Sequence, residues 1–244
     1  MKSFYIRKNM IAGFIGIIFI IVNLTISGQV VDGSLVKGSN DLVFMIVKGK
    51  ACWVSSAELF EALGLDWKNV KVIPDAQLGK IPKGLLIVKG SGNPIYILQY
   101  GVACKVNDIS TFKLLGFDQN LIIPIQNDKL KKIPQEPLLI KSTGPEVYLI
   151  NNDYACWVQS EKIFNALGFD MKRVFKIDSA VLQKIPKSTL ILTGSNKKVY
   201  LTDKENRYWI SNAALFEKLG YKWNAVLTVD DKYLNKIVEG APIK

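Results

Sequence analysis

Three kinds of residue in this chain could do chemistry, and all recur at one interval. Cys52, Cys104 and Cys156 lie 52 residues apart, with Tyr208 at the fourth position of the series. Thiols so placed could join in a disulfide, bind a soft metal or act as small apolar fillers. A position that accepts Cys and Tyr alike reads first as packing. The odd count leaves at least one thiol unpaired in any scheme. Asp66, Asp118 and Asp170 keep the same interval, with Lys222 completing it. Three equivalent carboxylates could ring a cation such as Ca²⁺. Each stands two residues after a glycine, however, where an acidic side chain caps the backbone amides of a turn, and that reading comes first. Asp178 and Asp230 likewise suit helix N-caps. No metal-ligand set can be named, and no cofactor is implied.

The aromatic residues are the better candidates for a site. Trp53, Trp157 and Trp209 share one column, which Lys105 breaks in the second position. Trp67 and Trp223 share another, with Gln119 and Met171 between them. Such indoles could stack on sugar rings or peptide side chains, or pack a core with one edge wet. Trp53, Lys105, Trp157 and Trp209 are therefore the candidate binding residues. Lys105 marks the place where sameness breaks and a specific partner could be read.

Histidine is absent from the chain. That removes every Ser-His-Asp and Cys-His scheme and every His-ligated zinc or iron site. No glycine-rich phosphate loop or Gly-x-Ser-x-Gly elbow occurs either, so the expectation is a non-enzyme with no catalytic residue to name. The alternative is a glycan hydrolase or lyase whose two carboxylates come from distant segments, which spacing alone does not reveal.

Composition sets the wider frame. At 244 residues, 49% apolar and 22% charged, the chain reads as globular and not disordered. Its formal charge is +11, but Lys2, Arg7 and Lys8 supply three of those positives. The only arginines beyond them are Arg173 and Arg207. Dispersed lysine is a poor reader of nucleic acid, which favours bidentate, stacking arginine. It suits an anionic envelope polymer or lipid surface, or is simply a solvated face.

The N-terminus reads as an address. After the basic residues come thirteen apolar ones from Met10 to Val22, then small and polar residues to Gly28. This pattern predicts a signal peptide over 1–28 and a linker over 29–33. The apolar run is short of the roughly 20 residues needed to span a bilayer. An uncleaved anchor is the second reading and the only route to a membrane. Either way the chain is expected to be exported, secreted or associated with the cell envelope.

The 52-residue interval extends well beyond the chemistry. Phe60, Phe112, Phe164 and Phe216 keep it, as do Gly64, Gly116, Gly168 and Gly220. So do Leu78, Leu130, Leu182 and Leu234, each followed by Lys-Ile. A domain over 34–244 is expected, with repeats at about 34–85, 86–137, 138–189 and 190–241. Each copy predicts an opening strand, an alternating second strand (Pro94–Leu98) and a third strand (Ala51–Val54). Next come an N-cap (Ser55, Asn107, Ser160, Ser211), a helix stopped by the glycine, a fourth strand and a helical turn closed by Lys-Ile-Pro. The fold class is mainly β with short helices.

A unit this small cannot bury its apolar side alone, so copies must pack on one another. A four-bladed β-propeller is the first expectation. Every copy keeps the same columns, the copies are ungapped, and the segments at Ser34–Lys37 and Gly240–Ile243 could meet. An open repeat array is the alternative.

An aromatic in strand two and Tyr-Trp or Cys-Trp in strand three, four times over, resembles the hemopexin-like four-bladed propeller. The closest copy holds Val199-Tyr200-Leu201 and Arg207-Tyr208-Trp209-Ile210. The pattern is also similar to repeats of about 50 residues in exported bacterial proteins. The resemblance implies a disc-shaped binding module without catalysis, whose central channel holds ions in hemopexin-like domains. The function expected from all this is a non-enzymatic module that binds a cell-wall polysaccharide or an extracellular protein.

Overall fold

The computed structural model describes residues 30–244, so the signal expected over 1–28 lies outside the described residues. The described chain is mainly β, with short helices, and its strands form three sheets, none closed into a barrel. The order of elements seen in the first quarter returns at 52-residue intervals. Leu35–Lys37 pairs antiparallel with Val43–Val47, which pairs antiparallel with Lys50–Val54. A six-residue helix, Ala57–Ala62, leads through a 3₁₀ turn at Trp67–Asn69 to Val70–Val72. That strand runs parallel to the opening one, which a chain can do only after a crossover.

Local chemistry explains these breaks. Ser56 is extended (φ −160°) and its side chain accepts from the Leu59 amide at 3.2 Å. Asp108, Ser160 and Asn212 cap the equivalent helices. Of the expected caps, only Ser160 holds that place; Ser55, Asn107 and Ser211 lie one residue too early. A cap must reach the amide three residues on, and in those three quarters the helix begins one residue later than the sequence suggests. Each helix ends at the glycine, with φ between +68° and +81°. The Leu65 amide then reaches back to the Phe60 carbonyl at 3.1 Å, and Phe117, Phe169 and Tyr221 repeat that bond. This is the Schellman closure, for which a glycine's tolerance of positive φ is needed.

The segment after each Lys-Ile-Pro does more than open the following quarter. Lys83–Gly84 pairs in parallel with the third strand of its own quarter. The Ala51 amide donates to the Pro82 carbonyl at 2.8 Å, and the Ala103–Pro134 and Ala155–Pro186 pairs do the same. In the middle of the chain the two roles merge. Gln135–Lys141 is one unbroken strand, parallel to Val102–Val106 at its start and antiparallel to Val147–Asn151 at its end. The expected boundary at 137/138 therefore cuts through a strand.

Core packing couples neighbours face to face. Cys52, Val54, Leu59 and Phe60 cluster with Leu86, Val88, Tyr96 and Leu98 of the following quarter. Phe112 and Cys104 cluster with Leu138 and Ile140, and Phe164 and Cys156 with Leu190, Leu192 and Tyr200. Each apolar face is thus buried by the next, as the size of the unit requires.

The chain ends depart from expectation. The C-terminal segment stays within its own quarter: Val238–Glu239 pairs with Asn206–Trp209, and Ile243 bridges to Ile210. The opening strand Leu35–Lys37 pairs with Val43–Val47 and Val70–Val72. The meeting of terminal strands expected from the sequence is not formed among the described residues. The expected linker is held too. The Gly33 amide donates to the Ile46 carbonyl at 2.8 Å, and the Gly49 amide to Asp32 Oδ1 at 2.9 Å.

Candidate functional site

The cysteines resolve as packing. Cys52, Cys104 and Cys156 are buried free thiols. Burial pushes the Cys52 and Cys104 thiols up to about 11 and the Cys156 thiol up to about 12, away from the reactive thiolate. Where Tyr208 takes their place, Gly240 lies against its ring with no room for a Cβ. The carboxylates resolve as caps. Asp66, Asp118 and Asp170 accept from the amides of Lys68, Asn120 and Lys172 at 2.9, 3.0 and 2.9 Å. Asp178 and Asp230 cap the closing helices in the same way. Among the described residues no group of three or more Cys, Asp or Glu side chains is placed to hold a metal ion.

The four candidate binding residues occupy equivalent places on successive third strands. Trp53 faces Phe44, Lys105 faces Tyr96, Trp157 faces Tyr148 and Trp209 faces Tyr200 across the antiparallel pairs. They do not converge on one site. Lys105, Trp157 and Trp209 line three separate clefts. Trp53 is half-buried and meets the edge of Tyr100, from the next hairpin, at 5.4 Å.

The cleft at Trp157 is the roomiest of the three, about 480 Å³. Its floor is the buried Phe164, and its mouth is framed by Trp157 and Met171, 42% and 53% exposed. Glu146 and Glu161 line it as well, and no lysine or arginine does. The cleft at Trp209, about 250 Å³, is built from the same positions 52 residues later, with Phe216 below and Trp223 at the mouth. Here the charge is reversed: Lys197 and Lys198 line it, and the Lys198 ammonium lies 4.6 Å from the centre of the Trp209 ring.

Elements from two quarters hold the Trp157 cleft in place. Ser160 caps the helix that carries Phe164, and its hydroxyl donates to the Lys204 carbonyl at 2.7 Å. Gln159 Oε1 accepts from the Lys204 amide at 2.5 Å. The hairpin of the fourth quarter thereby fastens one rim. The Tyr148 phenol is pushed up by burial first and by the Glu146 charge second.

Sequence reasoning placed the indole and Met171 columns but missed the partners that make them a cleft. Phe164 read only as one member of a repeated phenylalanine column, while Glu146 and Lys198 precede the second strand without any motif. The available signal was that the columns at 157, 164 and 171 all shift together by 52.

A scan of known protein families finds no match to the chain, and a search of curated proteins finds none. Among solved structures, the chain aligns with the periplasmic assembly of an ESX-5 inner membrane complex at 9% identity. That alignment covers 89% of this chain and 95% of the other, with a TM-score of 0.19. A second structure, of an intact ESX-5 inner membrane complex, aligns at 8% identity over 89% and 81% of the two chains, with a TM-score of 0.20. Likeness at that level establishes neither fold nor role. Among the described residues no helix is long and apolar enough to cross a membrane.

Proposed function

We propose that this protein is an exported, non-enzymatic binding module made of four copies of one 52-residue unit in open succession. Its partner is a cell-wall polysaccharide or an extracellular protein, engaged at the outward indole clefts. The observation that carries the reading is the recurrence of one aromatic cleft, at Trp157–Phe164–Met171 and again at Trp209–Phe216–Trp223. A large apolar side chain left exposed at the mouth of a cleft loses burial energy that only a partner restores. The open succession is favoured over the ring because the C-terminal segment occupies the last sheet edge itself. The lysine-rich surface favours an anionic or sugar-bearing polymer in the envelope.

The rival reading is a glycan hydrolase or lyase using carboxylates from different repeats; the two that line the Trp157 cleft, Glu146 and Glu161, come from a single repeat. Both are exposed, whereas a general acid is tuned by burial in an apolar pocket. Binding of the protein to isolated cell wall tests the two readings together. Retention that falls with salt and is lost in Trp157→Ala and Trp209→Ala supports the binder. Retention unchanged in both folded variants overturns it, and release of reducing sugar that stops in Glu146→Gln supports the enzyme.

A further inference from the structure

The two aromatic clefts have the same walls and opposite charge, and in one of them the chain supplies its own occupant. In the fourth quarter Lys198 stands beside the second strand, on the side of the sheet that carries Tyr200 and Trp209. Its ammonium lies 4.6 Å from the Trp209 ring centre, within cation–π reach. Trp209 also packs against the core shared by the third and fourth quarters. In the third quarter the equivalent of Lys198 is Glu146, and the equivalent of Ala213 is Glu161. Trp157 therefore keeps an open face, and two carboxylates replace the lysine. Neither carboxylate forms an ion pair among the described residues. Lys204, the lysine of the neighbouring hairpin, meets the rim through its backbone.

We infer that the Trp157 cleft binds a lysine side chain presented by an extended segment of a protein partner. The ammonium would lie over the Trp157 indole as Lys198 lies over Trp209. Its charge would face Glu146 and Glu161, and its methylene stem would rest on Met171 and Phe164. Charge complementarity selects this occupant: an apolar cleft with two unpaired carboxylates at its rim rewards a cation on an apolar stem. The fourth quarter's own contact shows the arrangement is sterically possible. The inference rests on the reading of the clefts as binding sites and narrows it to one chemistry at one of them.

The test is a titration of the full chain with acetyl-Gly-Lys-Gly-amide and with its norleucine counterpart, which has the stem without the charge. The indole N–H resonance of Trp157, assigned by its loss in Trp157→Ala, reports occupancy. The lysine peptide should shift it saturably and bind about two- to fivefold tighter than the norleucine peptide. Glu146→Lys should abolish the response by placing an internal lysine on the indole, and Lys198→Glu should make the Trp209 resonance respond in turn. Equal binding of the two peptides, no shift with either, or an unchanged response in Glu146→Lys would overturn the inference. So would a Trp157 shift produced by an uncharged oligosaccharide alone, or by self-association of the chain. Loss of wall retention in Trp157→Ala without a lysine response would sink this inference only. Retention indifferent to both cleft variants would sink the reading beneath it.

Discussion

Cys156 and Trp157 are neighbours on one strand and meet opposite fates: the thiol is fully buried and the indole is 42% exposed. The alternation of a strand sends them to opposite faces. One face lies under the helix carrying Phe164 and the sheet of the fourth quarter. The other opens where Glu146 stands in place of a covering lysine. Sheet interiors here are interchangeable from quarter to quarter, while sheet margins are individual. Stability should therefore follow the first face, and recognition the second.

The largest contrast is between these faces. Phe112→Ala empties a position with no exposure at the junction of the second and third quarters, and should cost about 3–5 kcal/mol. Trp157→Ala should cost clearly less, about 1–2 kcal/mol, because 42% of the indole is already exposed. Urea denaturation of both variants measures the gap, and equal costs would erase the distinction.

A smaller effect separates two glycines that share a helix-ending role. Gly116→Ala adds only the strain of a positive φ, about 1–2 kcal/mol, because its Cβ meets nothing within 4 Å. Gly168→Ala adds the same strain and drives a methyl to 2.7 Å from the Tyr233 ring of the next quarter. It should be the costlier of the two in thermal unfolding.

Smaller still is the cap. Ser56→Ala should cost about 1 kcal/mol, whereas Ser55→Ala removes a buried hydroxyl that has no partner and should be neutral or stabilising. The reverse order would restore the cap to the position the sequence suggested.

The smallest effect is a pH dependence shared by the first and last quarters. Ser39 and Ser195 hydrogen-bond Asp75 and Asp231 and hold both carboxyls below the usual carboxylate range. A lowered folded value means the stabilisation is present above the unfolded pKa of about 3.9 and is lost as pH falls through the folded one. Asp75→Asn with Asp231→Asn should flatten the acid limb of a stability curve measured between about pH 5 and pH 2.

Much of this was legible in the residues. The 52-residue columns located the second and third strands and the helix stops, because apolar alternation and a glycine after a helical run are local signals. The turn role of Asp66, Asp118 and Asp170 could be read for the same reason. The caps shifted by one residue because adjacent polar residues, Ser55-Ser56 and Asn107-Asp108, compete for one role that only the backbone angle decides. The direction of the fourth strand and the second use of the segment after each Pro were hidden, since parallel pairing leaves no mark on local pattern. Joining the indole columns to Glu146 and Lys198 was out of reach as well, because these residues meet only across a hairpin.

The sequence by itself determined the elements, their interval and the apolar faces that must be covered, since these follow from side-chain period and backbone preference. Tertiary structure alone decided which quarter covers which face, where the C-terminal segment pairs, and which indole keeps an open side. Those outcomes depend on contacts between residues tens of positions apart, and no local propensity encodes them.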